Sequence, residues 1–179
     1  PLWKPMFFYH NTFIDDDSPW RGYYGLGYGG HLGLERKMLN NIFLVMEGMP
    51  GLNITSAQPD SRFDGNLHWC RDEGPNYEGD FFAKFRASKT FKESQAFYEA
   101  GWTAHDLFAD PLLTAVPLNW KDPLNVAPRE SSPAINAGVP VPPDWPDPLR
   151  QDDAGAPDVG AMPFGHEGWA VGVRGRVRL

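Results

Sequence analysis

Phe8-Tyr9-His10-Asn11-Thr12-Phe13-Ile14 opens a pattern that returns as Met38-Leu39-Asn40-Asn41-Ile42-Phe43-Leu44 and again as Phe63-Asp64-Gly65-Asn66-Leu67-His68-Trp69. Each copy centres on an Asn, at positions 11, 41 and 66, with apolar residues alternating around it. Short β-runs repeated at this length predict a solenoid in which one repeat is one coil. A coil buries its inner face only by stacking on its neighbours, and Phe8, Phe13, Leu39, Ile42 and Leu67 are the candidates for inward apolar ladders. Asn at a coil corner tolerates left-handed backbone and can bond to a neighbouring backbone. An antiparallel sandwich is the other arrangement that strands of this kind allow.

Working outward, Asp15 to Gly30 separates the first two repeats as a long Gly/Tyr-rich loop, and loops of that length are often functional. From Ser88 the pattern changes, and Ser88 to Gly101 reads as one helix, with Ser88 or Thr90 as cap and Gly101 as stop. The stretch from Pro140 to Pro148 carries too many prolines for a helix or a central strand and reads as an extended surface wrap. Trp169 to Leu179 alternates and reads as a last strand. The expected organisation is one domain: coils over 1–87, a short helix over 88–101, and an irregular closing segment over 102–179.

Nineteen Gly and eighteen Pro favour many short elements joined by turns. The net charge of −7 argues against a nucleic-acid partner, because phosphate binding needs a basic field. Neutral sugars, or anionic ones held by a local basic patch or a bridging cation, remain compatible partners. Cys70 is the only cysteine, which excludes an intrachain disulfide and any Cys-based zinc motif. No apolar run approaches the ~20 residues of a membrane span. The chain starts at Pro1 and enters a strand-like run almost at once, which reads as a truncated, cleaved or excised chain.

Ser132-Pro133-Ala134-Ile135-Asn136-Ala137-Gly138, followed by Asp152-Asp153-Ala154-Gly155-Ala156-Pro157-Asp158-Val159-Gly160-Ala161, resembles the closing motif of right-handed parallel β-helix proteins of the pectate-lyase-like kind. Gly101 to Leu112 resembles the stretch that follows the short helix in the same proteins, and the likeness spans roughly residues 6 to 164. Asn136 departs from it, standing where the family usually has Asp. The resemblance implies an all-β fold: the last coils of a right-handed parallel β-helix, one short α-helix and an irregular Pro-rich wrap. It also implies a secreted or cell-surface protein that acts on or binds polysaccharide, as a lyase, a glycoside hydrolase or a non-catalytic binding module. Such proteins have more coils, so it further implies N-terminal coils from the same precursor or another chain.

Several residues are candidates for that chemistry. Asp15 and Asp17 would share a strand face at roughly 6.5–7 Å, a spacing open to a glycosidase pair, and with Asp16 they could hold Ca²⁺. A solvated turn before Ser18-Pro19 is the plainer reading. A β-elimination lyase needs a base and a cation that neutralises the uronate carboxylate. Arg36 and Lys37 are the candidate cations, with His10 or His31 as base, against a surface charge pair and a structural hydrogen bond. Trp20, Tyr23, Tyr24 and Tyr28 form the best sugar platform, which His31 adjoins. His68 and Trp69 are further substrate contacts, against a buried turn. His105-Asp106 reads as packing on the helix.

Overall fold

A computed structural model describes residues 5–15, 35–46, 48, 52, 54, 56–72, 81–117 and 121–166. The Gly/Tyr-rich loop beyond Asp15 and the expected last strand lie outside them. Each repeat forms two four-residue strands around its Asn. These are β1 (Met6–Tyr9) and β2 (Thr12–Asp15), β3 (Arg36–Leu39) and β4 (Ile42–Val45), and β5 (Ser61–Asp64) and β6 (Leu67–Cys70). The first strands pair in parallel as β1-β3-β5. The second strands pair in parallel as β2-β4-β6, which β7 (Leu107–Phe108) extends.

The turn between the strands explains the repeat. His10, Asn40 and Gly65 all sit at positive φ, 51°, 58° and 68°, so the chain bends sharply at the same point in each copy. The Asn that follows bonds along the stack. Asn11 donates its backbone N–H and Nδ2 to Asn41 Oδ1, at 3.1 and 3.0 Å. Asn41 does the same to Asn66 Oδ1, again at 3.1 and 3.0 Å. Asn66 donates to Asp106 Oδ1, at 2.9 Å from the backbone and 3.4 Å from Nδ2. The last acceptor is a carboxylate, which offers lone pairs and needs no onward partner when ionised.

Strand alternation separates two apolar layers. Phe8, Phe13, Met38, Phe43 and Phe63 meet between the sheets with Trp102. Ile42, Leu44 and Leu67 point the other way, onto Leu113, Ala134 and Val159 of the closing segment. Of the expected inward residues, Ile42 and Leu67 thus belong to this second layer. The closing segment is clasped to the turn column: Asn40 accepts from Val139 N at 2.7 Å and donates to Val139 O at 2.8 Å, while Gly160 N donates to Asn40 O. Asp158 of the Pro-Asp-Val-Gly run caps Asn136 N and Phe164 N, so that motif is a set of turn caps.

The expectation of an all-β right-handed parallel β-helix is corrected. The described residues form two parallel sheets, an antiparallel sheet of β8 (Leu113–Ala115) and β9 (Asn125–Pro128), and two short helices, and no β-helix is shown. Parallel pairing stops for local reasons. Among the described residues no strand extends the first sheet beyond β5, where Thr103 N bonds to Phe63 O as the chain turns. Leu113 then pairs back on Pro128 instead of stacking onward. Within the stretch expected as one helix over 88–101 the helix is α2 (Lys89–Ser94), shorter than expected, and a separate short helix, α1 (Ala83–Arg86), precedes it. Ser88 caps α2 through Phe91 N. Ser94 Oγ bonds to Phe91 O and accepts from Trp102 N, so the chain leaves the helix there.

Asn41→Ala removes the middle side chain of the buried ladder: Asn11 N–H loses its acceptor, Asn11 Nδ2 keeps only Tyr9 O, and Asn66 Oδ1 and Phe8 O lose the Nδ2 donor, with the residue-41 backbone N–H still bonded to Asn66 Oδ1. Urea unfolding is expected to show a loss of about 3 kcal/mol, and an unchanged midpoint would show that the ladder contributes nothing net.

Candidate functional site

Parallel register places side chains of equal repeat position beside one another. Phe7, Lys37 and Arg62 are register partners on β1, β3 and β5. They alternate with Phe8, Met38 and Phe63, so they project away from the core as one row. Adjacent rungs lie about 4.8 Å apart. The row therefore reads aromatic, cation, cation. Trp145, from the Pro-rich wrap, stacks on Phe7 at 4.5 Å with planes 12° apart and also meets Tyr9. Lys37 pairs with Glu35 at 3.5 Å. The Arg62 guanidinium lies over the Tyr98 ring, 4.2 Å from its centroid, and donates to the Tyr98 hydroxyl.

The neighbouring row holds Tyr9, Leu39 and Asp64. Asp64 is fully buried yet well bonded. Its Oδ1 accepts from His105 N at 2.7 Å, and its Oδ2 accepts from Tyr98 OH at 2.5 Å and from His105 Nδ1 at 2.7 Å. Burial first, then the Asp64 hydrogen bond and charge, push the Tyr98 phenol above its ordinary value. The His105 side chain stays 54% exposed.

His10 lies at the end of the Tyr9 row, in a cleft of about 360 Å³ that it lines with Tyr9, Asp147, Asp153 and Pro163. Its Nδ1 is 3.1 Å from Asp158 O, a carbonyl that can only accept, so Nδ1 carries a proton. Nε2 faces Asn40 Nδ2 at 3.5 Å and Asp147 Oδ2 at 4.0 Å. Burial holds the imidazole below its ordinary value, against the pull of Asp147. Burial likewise raises Asp153, against its bond from Asp158 N.

The other candidates fall as follows. Arg36 is half-buried at the start of β3, with its Nε buried and unbonded. Asp15 ends β2, while Asp16, Asp17, Trp20, Tyr23, Tyr24, Tyr28 and His31 lie outside the described residues. Among the described residues no group of three His, Cys, Asp or Glu could hold a metal ion, and no helix is long and apolar enough to cross a membrane. His68, expected to contact substrate, is instead wholly buried: it stacks on Phe43 at 5.3 Å and bonds Asp106 at 2.9 Å. It occupies the inward position of Phe13 and Phe43, so alternation takes it into the core. Burial pushes the Asp106 carboxyl up, against the pull of His68. Trp69 is half-buried against Phe108 and lines a smaller cleft with Arg71 and Arg129.

Sequence reasoning missed Arg62, Asp64, Tyr98 and Trp145, and gives His105 only a packing role. The signal was Asp64, a carboxylate where the other repeats carry Tyr9 and Leu39. No protein-family model matches the chain, and no curated protein or solved structure does.

The lowered His10 value has a defined sign. Between it and the unfolded value of 6.5, the unfolded chain binds more protons than the folded one. Stability is therefore expected to fall as the pH drops through that window. His10→Asn, which keeps a residue tolerant of positive φ, should flatten that slope in thermal unfolding followed across pH; an unaltered slope would assign the pH dependence to other groups.

Proposed function

We propose that this chain binds acidic polysaccharide along the outward row of Phe7, Lys37 and Arg62. The observation that carries the reading is the register that sets an aromatic ring and two cations side by side on an otherwise acidic protein. Sugar rings offer C–H faces to aromatic surface, and Phe7, 38% exposed beside its stacked partner Trp145, supplies such surface. Uronate carboxylates require cations, which Lys37 and Arg62 supply on neighbouring rungs. Arg62 is held in place by Tyr98, so little side-chain freedom is lost when it engages a ligand. A secreted or cell-surface location goes with this reading.

Titration calorimetry of the chain with polygalacturonate and with dextran tests it. The chain is expected to bind polygalacturonate in preference to dextran, with affinity falling as salt rises. Lys37→Glu should weaken polygalacturonate binding by about tenfold, or about 1.4 kcal/mol. Equal binding of the two polymers, or an unaffected Lys37→Glu variant, would remove the row from the account.

A further inference from the structure

We propose that His105 and Asp64 form a water-activating dyad that hydrolyses ester groups carried by the polysaccharide held on this row. The inference rests on the binding reading for its natural substrate, but the chemistry of the dyad stands on its own geometry. Asp64 is buried and accepts from His105 Nδ1 at 2.7 Å. An ionised carboxylate only accepts, so in the neutral ring the proton sits on Nδ1 and the lone pair is on Nε2. The second bond, from His105 N to Asp64 Oδ1, fixes the backbone that carries the ring. A buried carboxylate thus sets the tautomer of an imidazole that is about half exposed. This is the relation between orienting acid and general base that acyl-transfer sites use.

The surroundings favour ester hydrolysis. Arg62 lies 3.9 Å from Asp64 Oδ2 and 3.1 Å from the Tyr98 hydroxyl, so a held cation adjoins the carboxylate of the dyad. Glycoside hydrolysis by two carboxylates needs both to face the sugar, whereas Asp64 is buried and occupied by His105 and Tyr98. In the proposed step Nε2 takes a proton from water as the water oxygen attacks the acyl carbon. A tetrahedral oxyanion forms. On collapse the C–O bond to the alcohol breaks, and the leaving oxygen takes the proton back from the imidazolium. The products are a carboxylic acid and a free hydroxyl, with water as the sole co-reactant. His105 is the catalytic residue and Asp64 a positioning residue.

The test uses the full chain with p-nitrophenyl acetate and with O-acetylated polygalacturonate, following nitrophenol and acetate release. Polygalacturonate binding is measured in parallel. Release from both substrates is expected. His105→Gln should lower it about 100-fold or more while leaving binding intact, and added imidazole should restore part of the activity of His105→Ala. Asp64→Asn should lower kcat more than it changes KM and should shift the pH profile. Binding without acetate release, release unaffected by His105→Gln, or formation of unsaturated sugar ends in place of acetate would overturn the dyad. Cleavage of p-nitrophenyl acetate that depends on His105, without polygalacturonate binding, would leave the dyad standing and overturn the binding reading.

Discussion

The amide ladder of Asn11, Asn41 and Asn66, ended by Asp106, is the constraint on which the rest of the structure depends. It fixes the register of both parallel sheets, because each rung bonds through backbone and side chain to one acceptor. A slip by one residue would exchange the inward Phe8, Met38 and Phe63 for the outward Phe7, Lys37 and Arg62. It also fixes where the stack meets its cover. The turn residue before the ladder reaches the closing segment through Asn40 and Val139, and through His10 and Asp158. The outward row, the His10 cleft and the dyad are all placed by this one set of bonds.

Asp106 couples the ladder to the core. Its Oδ1 serves Asn66 and its Oδ2 serves His68, which stacks on Phe43. A buried charge is costly alone, and here it is shared among donors that would otherwise be unpaired. Asp64 has the same character one turn away, but its partner His105 reaches solvent. Two buried carboxylates thus play different roles, set by whether the imidazole each one holds is enclosed or open.

The repeat and its spacing were legible in the sequence because Asn11, Asn41 and Asn66 recur among alternating apolar residues, and the stacked register follows those spacings. The extension to an all-β right-handed β-helix was not. What ends the parallel pairing is the way Trp102, Thr103 and Leu113 engage residues distant in sequence. His68 was misread because its chemistry was weighed before its position in the repeat. Alignment with Phe13 and Phe43 places it inward. His10 could be chosen from sequence, but Asp147 and Asp153 meet it only because the Pro-rich wrap returns across more than a hundred residues. His105 reads from sequence as packing on the helix, since its partner Asp64 lies 41 positions earlier.

The contact between Asn40 and Gly65 has an evolutionary consequence. A Cβ at residue 65 would meet Asn40 Oδ1 at 2.5 Å, because that oxygen is held toward Val139. Asn is otherwise well suited to the positive φ found at residue 65. Steric conflict with a neighbour therefore excludes a side chain there even where the backbone would accept one. The two sites form an epistatic pair: glycine is required at one for as long as the other clasps the closing segment. A lineage that shortened Asn40 would relieve the closest conflict at residue 65 but lose the clasp, and a side chain there would still press on Val139 at 3.1 Å.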